Sequence, residues 1–355
     1  MSYDPMNDLR LDARNKMMLA GLDEPLLHQT ADVASRDEAL AAASSPAALA
    51  TEQAIAGLLE TMDDKDANPD AGLRIYRESI VSEPDGNTIH LQIIRPDTDE
   101  ILPCVYYIHG GAMMTLSAFL GNYRAWGKII ARQNLCVVMV DFRNSLRPSS
   151  TEEVAPYPAG LNDCVSAYHW VRKNAEALGI DGSKVLLAGE SGGGNLAIAT
   201  TMRLVAQEAD HEVFGLYALC PYILGRWPDE SAPSTQENEG VLISVANNHA
   251  TMAYGIDAYE QKDPCAWPGF ATVADVARFP PTMISVNECD PLRDEGVAFY
   301  RLLQQAGVFS HCRQLMGTVH ANELFAAVMP DFCRSTARDM AGWIEECSLK
   351  RGSVP

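Results

Sequence analysis

The stretch Gly189-Glu190-Ser191-Gly192-Gly193 constrains the fold of this chain more than any other. The apolar run 185–188 leads into it, and the run 195–199 that leaves it has helical spacing. A strand, a sharp turn and a helix in this order are the setting that a G-x-S-x-G nucleophile elbow requires. The glycines permit such a turn because they have no Cβ. We therefore expect Ser191 to be held clear of the backbone at a tight turn.

Short apolar runs recur along the chain, and segments with helical spacing separate them. Such runs are typical of strands buried in a parallel sheet. They are CVYYI (104–108), CVVMV (136–140), KVLLA (184–188), GLYALC (215–220) and TMISV (282–286). Two earlier strands flank the turn signal Glu83-Pro84-Asp85-Gly86, which predicts an antiparallel hairpin. The whole pattern predicts an α/β fold whose mostly parallel sheet is covered by helices on both faces.

The composition narrows the classes of function. Of the 355 residues, 47% are hydrophobic and 21% are charged, which is typical of a soluble globular protein with a full-sized core. Lysine and arginine number 27 and aspartate and glutamate 47, so the net charge is −20. That charge disfavours binding to nucleic acid or to an anionic membrane surface. We expect a well-solvated acidic surface rather than adaptation to salt.

The cysteines and the first residues bear on the cellular compartment. Nine cysteines are scattered without a C-x-x-C pair, which argues against a disulfide framework or a structural zinc site. The first residues, MSYDPMNDLRLDARNK, have no apolar core, so we expect no signal peptide. No apolar stretch is long enough to predict a transmembrane helix. We expect a cytoplasmic protein.

Two segments lie outside the strand–helix pattern. Residues 1–70 are rich in Ala, Leu and Asp, and they predict two helices that are separated near Ser44-Ser45-Pro46. This segment is either a helical lid or an arm that packs on the core, and the residues alone slightly favour the arm. Residues 222–266 are polar and rich in turns, and lids are often built from such insertions. The remaining segments, 71–221 and 267–355, form the predicted core.

A nucleophilic serine needs a base to take its proton and an acid to orient the base. In the hydrolase fold that uses this elbow, the acid and then the histidine follow the serine, each on a loop after a strand. Asp290 directly follows the strand TMISVNEC (282–289), with Glu288 and Asp294 as close rivals. Asp294 also suits the start of a helix, where aspartate is a good N-cap.

The candidate base is His320, on a loop after a short strand that we predict near Cys312–Leu315. It is the histidine that follows both the serine and the acid on a C-terminal loop. Donors for an oxyanion are expected on a glycine-rich loop after an earlier strand. We expect the N–H groups of Gly110 and Gly111 to face the substrate with that of Gly192, while the His109 imidazole supports the loop.

Together these motifs resemble the hormone-sensitive-lipase family of α/β-hydrolases. The resemblance covers residues 102–344 and rests on His109-Gly110-Gly111, GESGGGNLA (189–197), DPLRDEG (290–296) and His320. It implies an α/β-hydrolase fold in which Ser191 is the nucleophile, Asp290 the acid and His320 the base. It also implies that residues 1–70 and 222–266 build a helical cap, in place of a passive arm.

The chain departs from the family pattern at three places. Ala112 occupies the position of the last glycine in the family's H-G-G-G, Glu190 replaces the usual Asp of the elbow, and Ala321-Asn322 follows the base where Gly-Phe is common. None of these differences removes a catalytic group.

The resemblance implies a carboxylesterase that hydrolyses short- to medium-chain acyl esters through an acyl-serine intermediate, without a metal or an organic cofactor. Met113, Tyr123 and Trp126 either line the substrate pocket or seal the cap against the core. An amidase or carbamate hydrolase uses the same machinery, and a non-catalytic receptor for a small ligand shares the fold, although His320 disfavours the receptor. The expected partners are a small ester and a second copy in a homodimer.

Overall fold

The structure is a computed structural model that describes residues 4–22, 25 and 31–352. Eight strands form one sheet in the order β1-β2-β4-β3-β5-β6-β7-β8. The pairs β1–β2 and β2–β4 are antiparallel, and every other neighbouring pair is parallel. The strands are β1 (Leu73–Val81), β2 (Thr88–Pro96), β3 (Leu102–Ile108), β4 (Cys136–Asp141), β5 (Ile180–Glu190), β6 (Gly215–Leu219), β7 (Thr282–Cys289) and β8 (Ser310–Val319).

Helices precede the sheet, connect its strands and close the chain. They are α1 (Ala13–Ala20), α2 (Arg36–Ala43), α3 (Pro46–Glu60), α4 (Gly121–Ala131), α5 (Ala159–Lys173), α6 (Ala175–Leu178), α7 (Gly192–Ala206), α8 (Ser234–Glu237), α9 (His249–Glu260), α10 (Val273–Val276), α11 (Arg293–Gln305) and α12 (Pro330–Gly352). Among the described residues, none of these helices combines the length and the apolar composition needed to cross a membrane.

The predicted sheet is confirmed. The hairpin joins β1 to β2 across the predicted turn, and each of the five apolar runs is a strand. The last strand, β8, extends beyond the segment predicted near Cys312–Leu315 at both ends. The prediction is too short because many residues of this strand are exposed or half-buried, which weakens the apolar signal. Ser45 caps α3 and Pro46 opens it, as the break between the two predicted helices requires.

The side chains of adjacent strand residues lie in opposite layers of the core. Tyr106 packs edge-on against Tyr168 of α5, whereas Tyr107 packs edge-on against Trp126 of α4. The first layer also contains the apolar face of α7, and the second contains Trp343 of α12. Because side chains alternate along a strand, consecutive apolar residues indicate a sheet that is buried on both faces.

The cysteines lie within the described residues, and none of the nine forms a disulfide. Seven of these thiols are buried. Cysteine thus serves here as a small core residue, in agreement with the scattered spacing.

The parallel strands bring four loops to one edge of the sheet. His109 follows β3, Ser191 follows β5, Asp290 follows β7 and His320 follows β8. Since β3, β5, β6, β7 and β8 run in the same direction, their carboxyl ends all lie at this edge. Ligands of open α/β sheets bind outside the carboxyl ends of the strands.

The turn between β5 and α7 packs directly on the end of β3. A Cβ at Gly193 would overlap the carbonyl oxygen of Ile108 and lie 2.6 Å from that of His109. We expect Gly193→Ala to destabilise the fold by more than about 3 kcal/mol, because both obstructing atoms are backbone. Chemical denaturation of the purified variant measures this loss.

The control is Gly342→Ala, on the exposed face of α12. A Cβ there meets no atom within 4 Å, so alanine should raise stability by up to about 1 kcal/mol through its helix propensity. Equal stability of the Gly193 variant and wild type would contradict the packing at this turn.

Candidate active site

Ser191 occupies the strained turn between β5 and α7. Its backbone angles are φ 56° and ψ −122°, a region that non-glycine residues rarely adopt. Hydrogen bonds hold it there: its N–H donates to the Leu219 carbonyl (3.0 Å), and its carbonyl accepts from the N–H groups of Asn195 and Tyr222, each at 3.0 Å. This geometry agrees with the turn that the glycines predict.

The side chains of Ser191, His320 and Asp290 form one hydrogen-bonded line. Nε2 of His320 lies 2.9 Å from Oγ of Ser191, and Nδ1 lies 2.8 Å from Oδ2 of Asp290. An ionised carboxylate only accepts, so Nδ1 carries the proton and Nε2 is free to accept the serine proton. The arrangement can therefore deprotonate Ser191 and hold the resulting imidazolium.

Two asparagines from distant parts of the chain hold the loops of the acid and the base. Asn238 donates from Nδ2 to the backbone carbonyl of Asp290 (3.0 Å). Asn15 of α1 donates from Nδ2 to the carbonyl of Gly317 (2.9 Å) and to Oδ1 of Asn322 (2.7 Å). Both asparagines are fully buried. The residues that flank His320 are thus tied to the N-terminal helix.

The two rival acids lie elsewhere. Oε2 of Glu288 accepts from the Gly317 N–H (2.7 Å). Asp294 lies in the first turn of α11, pairs with Arg293 and accepts from the Ser234 N–H (2.7 Å). The structure therefore brings Asp290, and neither rival, to the imidazole.

The electrostatic surroundings favour the protonated form of His320. Burial by itself lowers the pKa of this imidazole, but the adjoining Asp290 carboxylate, aided by Glu190 and Glu323, outweighs burial and holds the pKa above its ordinary value of 6.5. A histidine with a raised pKa is a stronger base toward the serine.

The glycine loop (residues 109–113) passes over the turn at Ser191. A Cβ at Gly192 would lie 2.6 Å from the Met113 nitrogen and 2.8 Å from that of Ala112. Ala112 adopts a left-handed backbone with φ 54°, at the position where the family pattern has glycine. No described residue accepts a hydrogen bond from the N–H of Gly111 or Ala112.

The oxyanion role predicted for Gly110 is wrong. Its N–H donates to Oε1 of Glu190 (2.6 Å) and to Oη of Tyr123 (3.0 Å), so it has no capacity left for a substrate oxygen. The N–H groups of Gly111, Ala112 and Gly192 lie beside this turn, and no described residue accepts a hydrogen bond from them. The correction follows from Glu190, whose buried carboxylate requires donors of its own.

Glu190 is a buried acid that three donors satisfy. Besides the Gly110 N–H, it accepts the hydroxyls of Tyr123 (2.7 Å) and Tyr107 (2.6 Å). Burial raises the pKa of this carboxyl to about 7, although the two tyrosines and the Gly110 N–H favour its charged form.

His109 packs inside the core as a support for the glycine loop. Its ring stacks on Phe142 with 4.2 Å between the ring centroids, and Nδ1 donates to the Gly110 carbonyl (2.9 Å). Burial lowers its pKa, so the imidazole is neutral. These contacts agree with the supporting role expected from the sequence.

Two of the three residues that we expected either in the pocket or between cap and core lie between α4 and the sheet. Tyr123 and Trp126 have no surface that a water molecule could touch, Tyr123 because it binds Glu190 and Trp126 because it packs on Tyr107. Both belong to the face of α4 that covers the sheet. Met113 is almost fully buried too, but its backbone lies beside Gly192, and it stays a candidate.

One group of described side chains has the composition of a metal site. Ligand atoms of Cys220, Asp290 and His320 lie within 4.8 Å of one another. Burial raises the pKa of the Cys220 thiol far above its ordinary value, so the thiol is protonated. The carboxylate and the imidazole already bind each other. We therefore interpret these three residues as part of the serine–histidine–aspartate line and not as metal ligands.

Sequence reasoning missed the residues that support the site. Asn15, Asn238, Tyr107 and Tyr123 each place a polar group at one of these loops. A single polar residue in a helix, an apolar strand or a loop carries no sequence signal for such a role. Glu190 is the one supporting residue whose role has a sequence signal, because an acid at the end of a buried apolar strand requires hydrogen-bond donors nearby.

Comparison with known proteins identifies the family. Residues 105–324, well over half of the chain, match the family described as alpha/beta hydrolase fold. The carboxylesterase NlhH of Mycobacterium tuberculosis is 31% identical over 249 residues, which are 69% of this chain and 74% of NlhH.

Solved structures agree over nearly the whole length. Esterase Est22 shares 53% identity with a TM-score of 0.94, over 97% of this chain and 99% of that one. Brefeldin A esterase, a bacterial homologue of human hormone-sensitive lipase, shares 34% identity with a TM-score of 0.86, over 98% and 96%. The chain therefore belongs to the α/β-hydrolase family, among the homologues of hormone-sensitive lipase, and is a carboxylesterase.

Proposed function

We propose that this carboxylesterase hydrolyses short- to medium-chain acyl esters with Ser191 as nucleophile, His320 as general base and Asp290 as the orienting acid. The observation that carries the proposal is the hydrogen-bonded line from Oγ of Ser191 through His320 to the buried Asp290 carboxylate. Esterase Est22 has been solved with p-nitrophenol, which supports aryl esters as test substrates.

In the proposed reaction, Oγ of Ser191 attacks the ester carbonyl while its proton passes to Nε2 of His320. The Asp290 carboxylate stabilises the imidazolium across the bond at Nδ1. His320 then protonates the leaving alcohol as the tetrahedral intermediate collapses to an acyl-serine. A water molecule, deprotonated by the same imidazole, attacks the acyl-serine and releases the acid and the free serine.

The carbonyl oxygen becomes negatively charged in the tetrahedral intermediate. We assign its stabilisation to the N–H groups of Gly111, Ala112 and Gly192, because the glycine loop and the start of α7 meet beside Ser191. Removing one such donor in other serine hydrolases costs about 3 kcal/mol of transition-state stabilisation.

We further propose that residues 1–70 and 222–266 together form a cap over this site. Helix α2 packs against α9, and Asn248 accepts from the Val33 N–H (2.9 Å) and donates to its carbonyl (2.8 Å). Nε2 of His249 bonds to the Ala31 carbonyl (2.8 Å). Ser191 and His320 are 6% and 5% exposed, as a cover over the catalytic groups requires.

The ester hydrolysis is tested with p-nitrophenyl acetate, butyrate, octanoate and dodecanoate. We expect kcat/KM to favour the shorter chains, and we expect Ser191→Ala to lose at least about 10³-fold, since no other group can form the acyl-enzyme. A matched anilide measures amide cleavage. Retained activity in the alanine variant would refute the serine mechanism, and faster anilide cleavage would make the enzyme an amidase.

The pH profile tests the base. His320 accepts a proton only when neutral, so kcat/KM should fall tenfold per pH unit below the pKa of His320. We call this fall the acid limb of the pH profile, and the raised pKa places its midpoint above pH 6.5. Asp290→Asn removes the charge that raises the pKa. The limb should then move to lower pH, with a rate loss of about 10⁴ by analogy with other triads. Equal rates at pH 5 and pH 8, each about 1.5 units from the ordinary pKa, would exclude His320 as the base.

The cap is tested by Asn248→Ala, which removes both side-chain bonds to Val33. A looser cover should raise KM several-fold and leave kcat within about twofold, because the two lost hydrogen bonds are worth about 1 kcal/mol each. Asn7→Ala is the matched control, since Asp4 is the one described residue that the exposed Asn7 amide bonds to. Identical kinetics of the two variants would argue against a substrate cover at this contact.

A further inference from the structure

We propose that Glu190 is a positioning residue that fixes the glycine loop beside Ser191, a role that rests on the proposed ester hydrolysis. Glu190 is the last residue of β5, one residue before the nucleophile, and its carboxylate binds the loop that carries the oxyanion donors. It thus couples the position of those donors to the position of the attacking oxygen.

The contacts of Glu190 join three separate elements. Oε1 accepts from the Gly110 N–H (2.6 Å) and from the Tyr123 hydroxyl of α4 (2.7 Å), and Oε2 accepts from the Tyr107 hydroxyl of β3 (2.6 Å). All four residues are fully or almost fully buried. Above its pKa of about 7 the carboxyl is ionised, and hydrogen bonds to an ionised acceptor in a buried site are stronger than neutral ones. Glu190 is therefore a strong polar anchor of the loop.

The loop is in contact with the elbow on both sides of Ser191. A Cβ at Gly110 would overlap Oε1 of Glu190, so the backbone of the loop lies directly on the carboxylate. One residue after the nucleophile, Gly192 approaches the nitrogens of Ala112 and Met113. A shift of the Glu190 carboxylate would therefore move the N–H groups of Gly111 and Ala112 relative to Oγ.

Glu190 also adds charge to the site. The titratable groups around Glu190 are the hydroxyls of Tyr107 and Tyr123 and the thiol of Cys220. The titratable groups around His320 are Asp290, Glu190, Glu323 and the same thiol. Ionised Glu190 contributes to the raised pKa of His320. Its removal should therefore change both the rate and the pH profile, whereas a merely structural residue would change stability alone.

Two variants separate the effect of the charge of Glu190 from the effect of its side-chain length. Glu190→Gln keeps the length and removes the charge, and Glu190→Asp keeps the charge but is one methylene too short to contact all three donors. The matched control is Glu295→Gln. Glu295 is also a buried acid that accepts a backbone N–H, from Ile223 (2.6 Å), and an aromatic donor, Nε1 of Trp227 (2.7 Å).

We expect Glu190→Asp to lower kcat at least about tenfold with KM within about twofold, because oxyanion donors act in the transition state. Its acid limb should stay at the wild-type pH. In Glu190→Gln the limb should move to lower pH, and kcat should also fall, since the hydrogen bonds to a neutral amide are weaker. In Glu295→Gln the midpoint temperature of thermal unfolding should fall, while the acid limb of the pH profile should stay at the wild-type pH.

Wild-type kcat in both Glu190 variants would overturn the proposal, as would a loss of stability with kcat and the acid limb unchanged. Labelling by a fluorophosphonate separates this outcome from a failure of the serine mechanism. Wild type and both Glu190 variants should be labelled at Ser191, the variants more slowly. If wild type is not labelled at all, the proposed function fails and the role of Glu190 fails with it.

Discussion

The contact between the turn at Ser191 and the end of β3 determines the geometry of the whole site. Gly193 packs on the carbonyl of Ile108, and Gly192 packs under the backbone of Ala112 and Met113. These approaches leave no space for a Cβ, and they place the strained serine within reach of the glycine loop. The strain is tolerated because the Leu219 carbonyl and the N–H groups of Asn195 and Tyr222 hold the turn from three directions.

Around this contact the enzyme concentrates buried acidic side chains. Asp290, Glu190 and Glu323 all lie near His320, and each favours its protonated form. In a low-dielectric interior such charges act strongly and need hydrogen-bond donors of their own. Asp290 accepts hydrogen bonds from the Leu292 N–H and from His320. Glu190 accepts them from the hydroxyls of two tyrosines and from the N–H of Gly110 in the glycine loop. The donors that satisfy these acids are therefore also the groups that hold the catalytic loops.

The N-terminal segment, although far from these residues in sequence, holds the loops of His320 and Asp290 in place. Asn15 bonds to both ends of the histidine loop, and Arg10 donates to Oδ1 of Asn238 (2.8 Å), whose amide holds the carbonyl of Asp290. These polar contacts are buried or partly buried, each is worth about 1 kcal/mol, and loss of one leaves a buried partner unsatisfied. We expect the segment to be inseparable from the active core for this reason.

The sequence by itself determined the α/β architecture, the elbow and the candidates Ser191, Asp290 and His320. Apolar runs, turn residues and chain order report local backbone preferences and the edge of the sheet at which loops meet. It did not determine which N–H groups are free for an oxyanion, nor that Tyr123 and Trp126 are core residues. Those outcomes depend on which side chain reaches Gly110 and which face of α4 meets the sheet. Only the tertiary structure decides them, because contacts between residues far apart in sequence leave no local pattern.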